Sequence, residues 1–345
     1  MKIVNIYENE AGQRLDRILI RLFPNAGKGF IFKMLRKKNI VLNGKKAEGN
    51  ERLTIGDEIK IFLSDETFTK MSETDYSEIA YETGSLNDRE YCKKITEMKV
   101  YEDDDIIILN KPAGILSQKA SENDISLNEM LISYMLCNKM IENEQLKTFR
   151  PSMCNRLDRN TSGLICGGKT LKGLRVLSEM FRDRTISKYY LCLVKGTVKE
   201  AKHIEGYLYK DEKTNKVIIK NDIDGFTECK NQKTDKEISS DMSVHIITEY
   251  KPVYNEKGNT MLEVKLVTGK THQIRAHLAS EGHPIAGDGK YGDREFNRWA
   301  EKKYNTKYQM LFAYKLVFPE NCPGMPKLNG KVIELNNPFR RKPER

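Results

Sequence analysis

Apolar residues recur along the chain in two rhythms, and the changes of rhythm divide it. In GQRLDRILIRLF (12–23) they fall at Leu15, Ile18, Leu19, Leu22 and Phe23, one face of a helix that Pro24 ends. The stretch FIFKMLRKKN (30–39) predicts a second helix that buries Ile31, Met34 and Leu35 and turns Lys28, Lys33, Arg36, Lys37 and Lys38 outward. IVLNGKKA carries an Asn43-Gly44 hairpin turn, and in RLTIGDEIKIFL the residues Ile59, Ile61 and Leu63 alternate as in a strand. Periodicity is lost over residues 65–97, whose nine acidic residues read as a mobile acidic linker. From residue 98 to 345 strands and helices alternate without a fixed repeat. Ile106–Leu109 predicts a short buried strand running into the turn sequence NKPAG, LNEMLISYML and LKGLRVLSEMF have helical spacing, and Thr170 is placed to cap the second of these. YYLCLVKG, KVIIK, SVHIIT and MLEVKLV read as strands, so this part is expected to be a mixed sheet with packed helices, an α+β core.

Length and charge narrow the picture. A chain of 345 residues suits two domains, and 59 Lys and Arg against 49 Asp and Glu leave a surplus that favours a polyanionic partner, nucleic acid or anionic membrane. No apolar run approaches the roughly 20 residues of a spanning helix, and the start MKIVNIYENE lacks a basic-then-apolar signal segment. The expectation is therefore a cytoplasmic protein without a membrane partner. Seven scattered cysteines with no CxxC pair read as reduced thiols. His272, His277 and His283 share the stretch HQIRAHLASEGH, but neither HExxH nor a Cys/His cluster accompanies them, so no metal site is expected.

Within residues 1–64 thirteen basic residues outweigh seven acidic ones, and they concentrate on the second helix and the hairpin after it. Most such stripes are solvated helix faces. Here the order and spacing of RLDRILIRL, FKMLRKKNIVLNGKK and the following GDEI resemble the alpha-L RNA-binding motif. The resemblance implies a small α/β RNA-binding domain over 1–64, with Lys28, Lys33, Arg36, Lys37 and Lys38 on its RNA face.

The stretch NRLDRNTSGL (155–164) sets Asp158 between Arg156 and Arg159. Taken alone, such an aspartate reads as a structural ion-pair partner. It occurs, however, together with YEDDDIIILNKPAG (101–114), SKYYLCLVKG (187–196) and VKLVTGKTHQIRAHLASEGHPIAGDGKYG (264–292). In this order the four stretches resemble the RluA-type family of RNA pseudouridine synthases, which isomerise uridine without a cofactor. The resemblance implies a largely antiparallel catalytic domain over 98–345, working as a monomer on structured RNA. KYGDREFNRW (290–299) resembles the branch acting on large-subunit ribosomal RNA, with transfer RNA the alternative. The family resemblance further implies Asp158 as catalytic aspartate, Tyr190 as active-site tyrosine and Arg275 as the basic partner of the carboxylate. Arg156 would enter the RNA stack as the base leaves, and Lys111 with Pro112 would line the pocket floor on the RNA side. Asn155 stands where the family commonly has histidine.

The chemistry accounts for these residue types. Uracil must be detached at N1, rotated and rejoined through C5, with loss of the C5 proton. A carboxylate serves as nucleophile or as a base on the ribose, and a nearby guanidinium favours its ionised form. A tyrosine can stack on uracil and assist the proton, and a flipped nucleotide leaves a gap that an arginine can fill. On pattern alone Arg156 equally suits a phosphate contact, and Tyr190 a core aromatic. Two rivals stand beside the enzyme reading. One is a non-catalytic RNA assembly factor; the other is a hydrolase pairing Asp158 with Asp288.

Overall fold

A computed structural model describes residues 1–72, 86–121, 124–143, 145–211, 216–220 and 243–339. The chain forms two compact units. The first takes residues 1–107, 127–153 and 167–175, and the second takes 108–126, 154–166 and 176–345.

The first unit begins with β1 (Lys2–Asn5), α1 (Leu15–Leu22), α2 (Lys28–Arg36), β2 (Ile40–Leu42), β3 (Lys45–Lys46) and β4 (Glu58–Ile61). The strands make an antiparallel sheet in the order β1-β4-β2-β3. The expected helical faces form its core: Leu15, Ile18, Leu19, Leu22 and Phe23 meet Ile31, Leu35, Ile40, Ile59 and Ile61. Asn43 and Gly44 both have positive φ, as a two-residue hairpin turn requires. Strand β1 is not legible in KIVN, since it lies at the sheet edge and is mostly exposed.

The acidic segment is not structureless at its ends. Its first residues form α3 (Asp65–Ser72), where Phe68 packs edge-on against Phe23 and Met71 joins the same core. Its last residues form α4 (Leu86–Met98), while 73–85 lie outside the described residues. Two inward side chains in one short helix are too few to show as periodicity, which is why the sequence reads as linker. Next come β5 (Lys99–Glu102), β6 (Ile106–Lys111), α5 (Leu127–Cys137) and β7 (Ser152–Met153). Thr148 ties this part of the unit to its beginning, donating from Oγ1 to Glu10 at 2.7 Å and accepting from Arg21 through its carbonyl at 2.9 Å.

The remaining elements are β8 (Ser162–Gly168), α6 (Leu171–Arg182), β9 (Ser187–Val194), β10 (Lys202–Lys210), β11 (Val217–Lys220), β12 (Val244–Glu256) and β13 (Asn259–Leu266). They are followed by α7 (Gln273–Ser280), α8 (Arg294–Tyr304), β14 (Leu311–Val317) and β15 (Val332–Glu334). Thr170 does cap α6, accepting from the Gly173 N–H at 3.0 Å. In the second unit the strand order is β11-β10-β12-β13-β9-β14-β8-β6, with β15 on β14; the β14–β8 pair is parallel and the pairs from β11 to β14 are antiparallel. The fold is α+β, as expected. Among the described residues no helix is long and apolar enough to cross a membrane.

Candidate active site

The site grows out of the turns that follow β6 and precede β8. Gly163 opens β8 at φ 114°, and a Cβ there would sit 2.2 Å from the Ala313 carbonyl oxygen of β14, so only glycine allows the two strands this close. The turn carrying Asp158 is then held from several sides. The Thr161 N–H donates to the Asp158 carbonyl at 3.0 Å, and Thr161 Oγ1 accepts from Gln309. Ser117 Oγ donates to the Leu157 carbonyl and accepts the Leu157 N–H, at 2.9 and 3.1 Å. Arg159 donates from Nε to the Gly114 carbonyl, and the Gly114 N–H donates back to the Arg159 carbonyl. A loop pinned at this many points holds one side chain still, which is what a reacting carboxylate needs.

Lys111 belongs to that scaffold and not to an RNA-facing surface, which corrects the expectation from sequence. Its side chain is fully buried, and Nζ donates to the carbonyls of Pro112, Ile115 and Arg159 at 2.9 to 3.1 Å. Burial lowers its pKa to about 8 against the pull of Asp158. An ammonium with all three protons engaged stitches the two loops together and has none left for phosphate.

Arg275 comes from the buried helix α7. Gln273 fixes that helix: its amide donates to the Ile247 carbonyl and Thr248 Oγ1, and its Oε1 accepts from Thr268 Oγ1 and the Lys270 N–H. Arg275 then donates from NH1 to Asp158 Oδ2 at 2.7 Å and, in a two-pronged contact, from Nε and NH2 to Asp288 at 2.7 and 2.9 Å. Burial opposes its charge, but the two carboxylates more than compensate and hold its pKa above the usual arginine value. Asp288 feels the same balance in reverse. Burial pushes its pKa up, and the bonds from Arg275 together with the N–H groups of Lys290 and Tyr291 bring it below the usual range.

In the sequence Asp288 stands out only as the second carboxylate of a rival hydrolase. Its side chain has no exposure and sits behind Arg275, outside the residues lining the cavity. Two carboxylates on one guanidinium are not opposed across a sugar, so the arrangement lacks the geometry of a hydrolytic pair. The signal that could have revealed its role is the spacing of Asp288 from Arg275 across a turn that needs glycine: Gly287 has φ 74°, and a Cβ there would meet the Tyr308 carbonyl oxygen at 2.2 Å.

The cavity these parts enclose measures about 680 Å³, within the range of small-molecule sites. Among the described residues Asp158 is the one acidic residue lining it, against seven arginines and lysines. Tyr190, from β9, is buried in the wall; burial raises its pKa well above the ordinary phenol, and the charge of Asp158 adds to the shift. It is a neutral phenol at neutral pH. Arg156 lines the same cavity and is exposed. Asn155 accepts the Cys166 N–H through Oδ1 at 2.8 Å, so it serves the second half of β8. The structure thus brings Asp158, Tyr190, Arg275 and Arg156 together, sets Lys111 beneath them, and leaves Lys28, Lys33, Arg36, Lys37 and Lys38 exposed on or just after α2 in the other unit. Among the described residues no group of three His, Cys, Asp or Glu side chains is arranged to hold a metal ion.

The chain is similar to known proteins over most of its length. The family model described as RNA pseudouridylate synthase matches residues 105–280. An uncharacterized RNA pseudouridine synthase of Mycoplasma genitalium is 31% identical over 93% of this chain and 91% of its own length. The ribosomal large subunit pseudouridine synthase C of Escherichia coli is 29% identical over 98% of this chain and 93% of its own. Among solved structures, human RNA pseudouridylate synthase domain containing 4 shares the fold, with a TM-score of 0.56 over 73% of this chain and 93% of that one at 19% identity.

Proposed function

Because the chain belongs to the RNA pseudouridylate synthase family and is an RNA pseudouridine synthase, we propose that it isomerises uridines of large-subunit ribosomal RNA with Asp158 as the catalytic carboxylate. The observation that carries this reading is the contact of Asp158, the only acidic residue lining the cavity among the described residues, with a buried arginine at 2.7 Å. That contact occupies Oδ2 and orients the group. Asp158 then acts on the ribose, either as nucleophile at C1′ or as a base, while the bond from C1′ to N1 breaks. The base turns and C5 bonds to C1′ as the Asp158–C1′ bond breaks, or as the ribose proton that Asp158 took is returned; the C5 proton then leaves and N1 gains one, so the product is an isomer of the substrate. Tyr190 offers its ring to the uracil face, and its raised pKa makes its hydroxyl a hydrogen-bond donor rather than a proton acceptor at neutral pH. The buried part of the wall, Leu157, Tyr190, Ile274 and Leu311, limits the water that reaches the detached base from that side.

The surroundings suit an RNA strand. Arg156 is free to fill the gap left by a flipped nucleotide, at a cost to the RNA of a few kcal/mol in lost stacking. Arg182, Arg184, Lys188 and Lys270 supply further positive charge for phosphodiesters. We assign residues 1–64 as an RNA-binding domain on the strength of its exposed cations, 65–97 as the connection, and 98–345 as the catalytic domain. Relatives named for the large ribosomal subunit support that choice of RNA, and with it we assign the protein to the cytoplasm.

Two measurements test the reading together. Pseudouridine maps of ribosomal and transfer RNA, from cells with and without the protein, should differ at large-subunit positions; differences confined to transfer RNA would reassign the substrate. Purified Asp158→Asn should fold and bind RNA like the parent yet release no tritium from C5-labelled uridine. Release at the parental rate would remove Asp158 from the mechanism.

A further inference from the structure

His272 is a titratable residue in the cavity wall that the mechanism has not used. It precedes α7 in the left-handed region (φ 56°, ψ 12°), a conformation that glycine or asparagine adopts more readily. Strain of this kind at a site wall is tolerated where the surroundings hold the residue for a reason. Here the surroundings are a directed chain of hydrogen bonds. The Val217 N–H donates to Tyr291 Oη at 2.9 Å, and Oη lies 3.0 Å from His272 Nδ1. On the other side of the ring, Nε2 lies 3.9 Å from Asp158 Oδ2, the oxygen that Arg275 also holds.

The chain favours one tautomer. The Val217 N–H takes one lone pair of the phenol oxygen; with the phenol proton pointing to Nδ1, the imidazole proton sits on Nε2, facing the carboxylate. The opposite tautomer would aim a nitrogen lone pair at that carboxylate. Burial lowers the pKa of His272 below the ordinary histidine value; Asp158 and Asp288 oppose the shift, and Arg275 and Lys290 reinforce it. The ring is therefore neutral at neutral pH, with a single proton to place. A 3.9 Å separation is loose for a hydrogen bond, as contacts in catalytic sites commonly are before substrate tightens them.

From this geometry we infer that His272 is a positioning residue for Asp158, presenting Nε2–H to Oδ2 through the Val217–Tyr291 chain and so leaving Oδ1 to face the ribose. The inference rests on the catalytic role proposed for Asp158. Arg275 fixes one direction in space; a second donor on the same oxygen removes the remaining rotation of the carboxylate about its own axis. Tyr291 also lies under the Arg275 guanidinium, 5.3 Å from ring centre to Cζ, so one side chain supports both partners.

The test is a double-mutant cycle. Tyr291→Phe keeps the ring and removes the proton that holds Nδ1. It should lower kcat about tenfold through misorientation of the carboxylate, with KM unchanged and only a small fall in melting temperature from the Val217 N–H that loses its acceptor. His272→Gln supplies an amide donor that needs no proton from Tyr291. On that background the same Tyr291→Phe change should cost less than about twofold, because the coupling is gone. If His272→Gln does not fold, His272→Asn, which tolerates the left-handed backbone, replaces it in the cycle. Equal losses in both backgrounds, or a loss seen only in KM or melting temperature, would overturn the positioning role. That outcome is distinct from an active Asp158→Asn, which defeats the reading of Asp158 itself.

Discussion

Two groups of positive charge in this molecule are built in opposite ways. On and after α2, Lys28, Lys33, Arg36, Lys37 and Lys38 are exposed, and among the described residues none pairs with a carboxylate. In the cavity, Arg275 is buried and engaged at three nitrogens by two carboxylates. The exposed set keeps its charges available, so it can meet phosphates in many registers, and salt screens it readily. The buried arginine is available to nothing but its partners. Its charge serves geometry, holding one carboxylate by means of another. Binding an RNA backbone tolerates loose charge; directing one oxygen at a ribose does not.

The sharpest way to break this contrast is Arg275→Gln. It strips the counter-ion from Asp288, whose side chain has no exposure, and frees Asp158. Stability should fall by about 3–5 kcal/mol, the range for a buried ion pair deprived of one partner, and tritium release should vanish. Urea unfolding and the release assay read the two effects; parental stability would mean that the buried network is not what holds the site.

A smaller effect tests the helix that carries the arginine. Burial lowers the pKa of His277 to about 4, and its Nδ1 lies 3.0 Å from Thr248 Oγ1. Between that value and the ordinary histidine value of 6.5 the unfolded chain takes up a proton that the native state refuses, so stability rises with pH across this window. Acidification from neutral pH to about 4 should cost up to roughly 3 kcal/mol from this residue alone. His277→Gln should flatten that part of the pH–stability curve. An unchanged curve would show that the histidine is reached by solvent in the native state.

The mildest change belongs to the exposed set. Replacing Lys33, Arg36, Lys37 and Lys38 with Gln should raise KM for RNA and leave kcat and melting temperature alone. The salt dependence of binding should become shallower by about one unit for each phosphate no longer neutralised. A fall in kcat with no change in salt slope would erase the distinction between the two regions.

Much of this is legible in the chain. The helical stripes of α1 and α2 follow from local periodicity, because each helix buries a face of its own, the Asn43-Gly44 turn from its residue types, and the strands β9, β12 and β13 from short apolar runs. The NRLDRNTSGL and HQIRAH stretches point to Asp158 and Arg275 without any geometry. Other parts are not readable. Strand β10 in KHIEGYLYK alternates buried and exposed residues only in part, with His203 and Glu205 on its open face, and α7 is buried nearly all round, so its polar residues hide its character. Lys111 reads as a contact for RNA because lysine usually stays wet; three carbonyls that converge from separate turns make it a strut.

The sequence by itself determined which faces are apolar, since that depends on residue type and on spacing within one helix or strand, and its resemblance to a family named the candidate site residues. Tertiary structure alone decided the partnerships. Arg275 meets Asp158 across 117 positions and Asp288 across 13, and His272 reaches Tyr291 across 19. Such contacts depend on how β12, α7 and the loop before β8 converge, and no local pattern encodes that convergence. The charge of a buried group is set by these neighbours as much as by its own chemistry, so the division of labour among the cavity's cations became visible only in the fold.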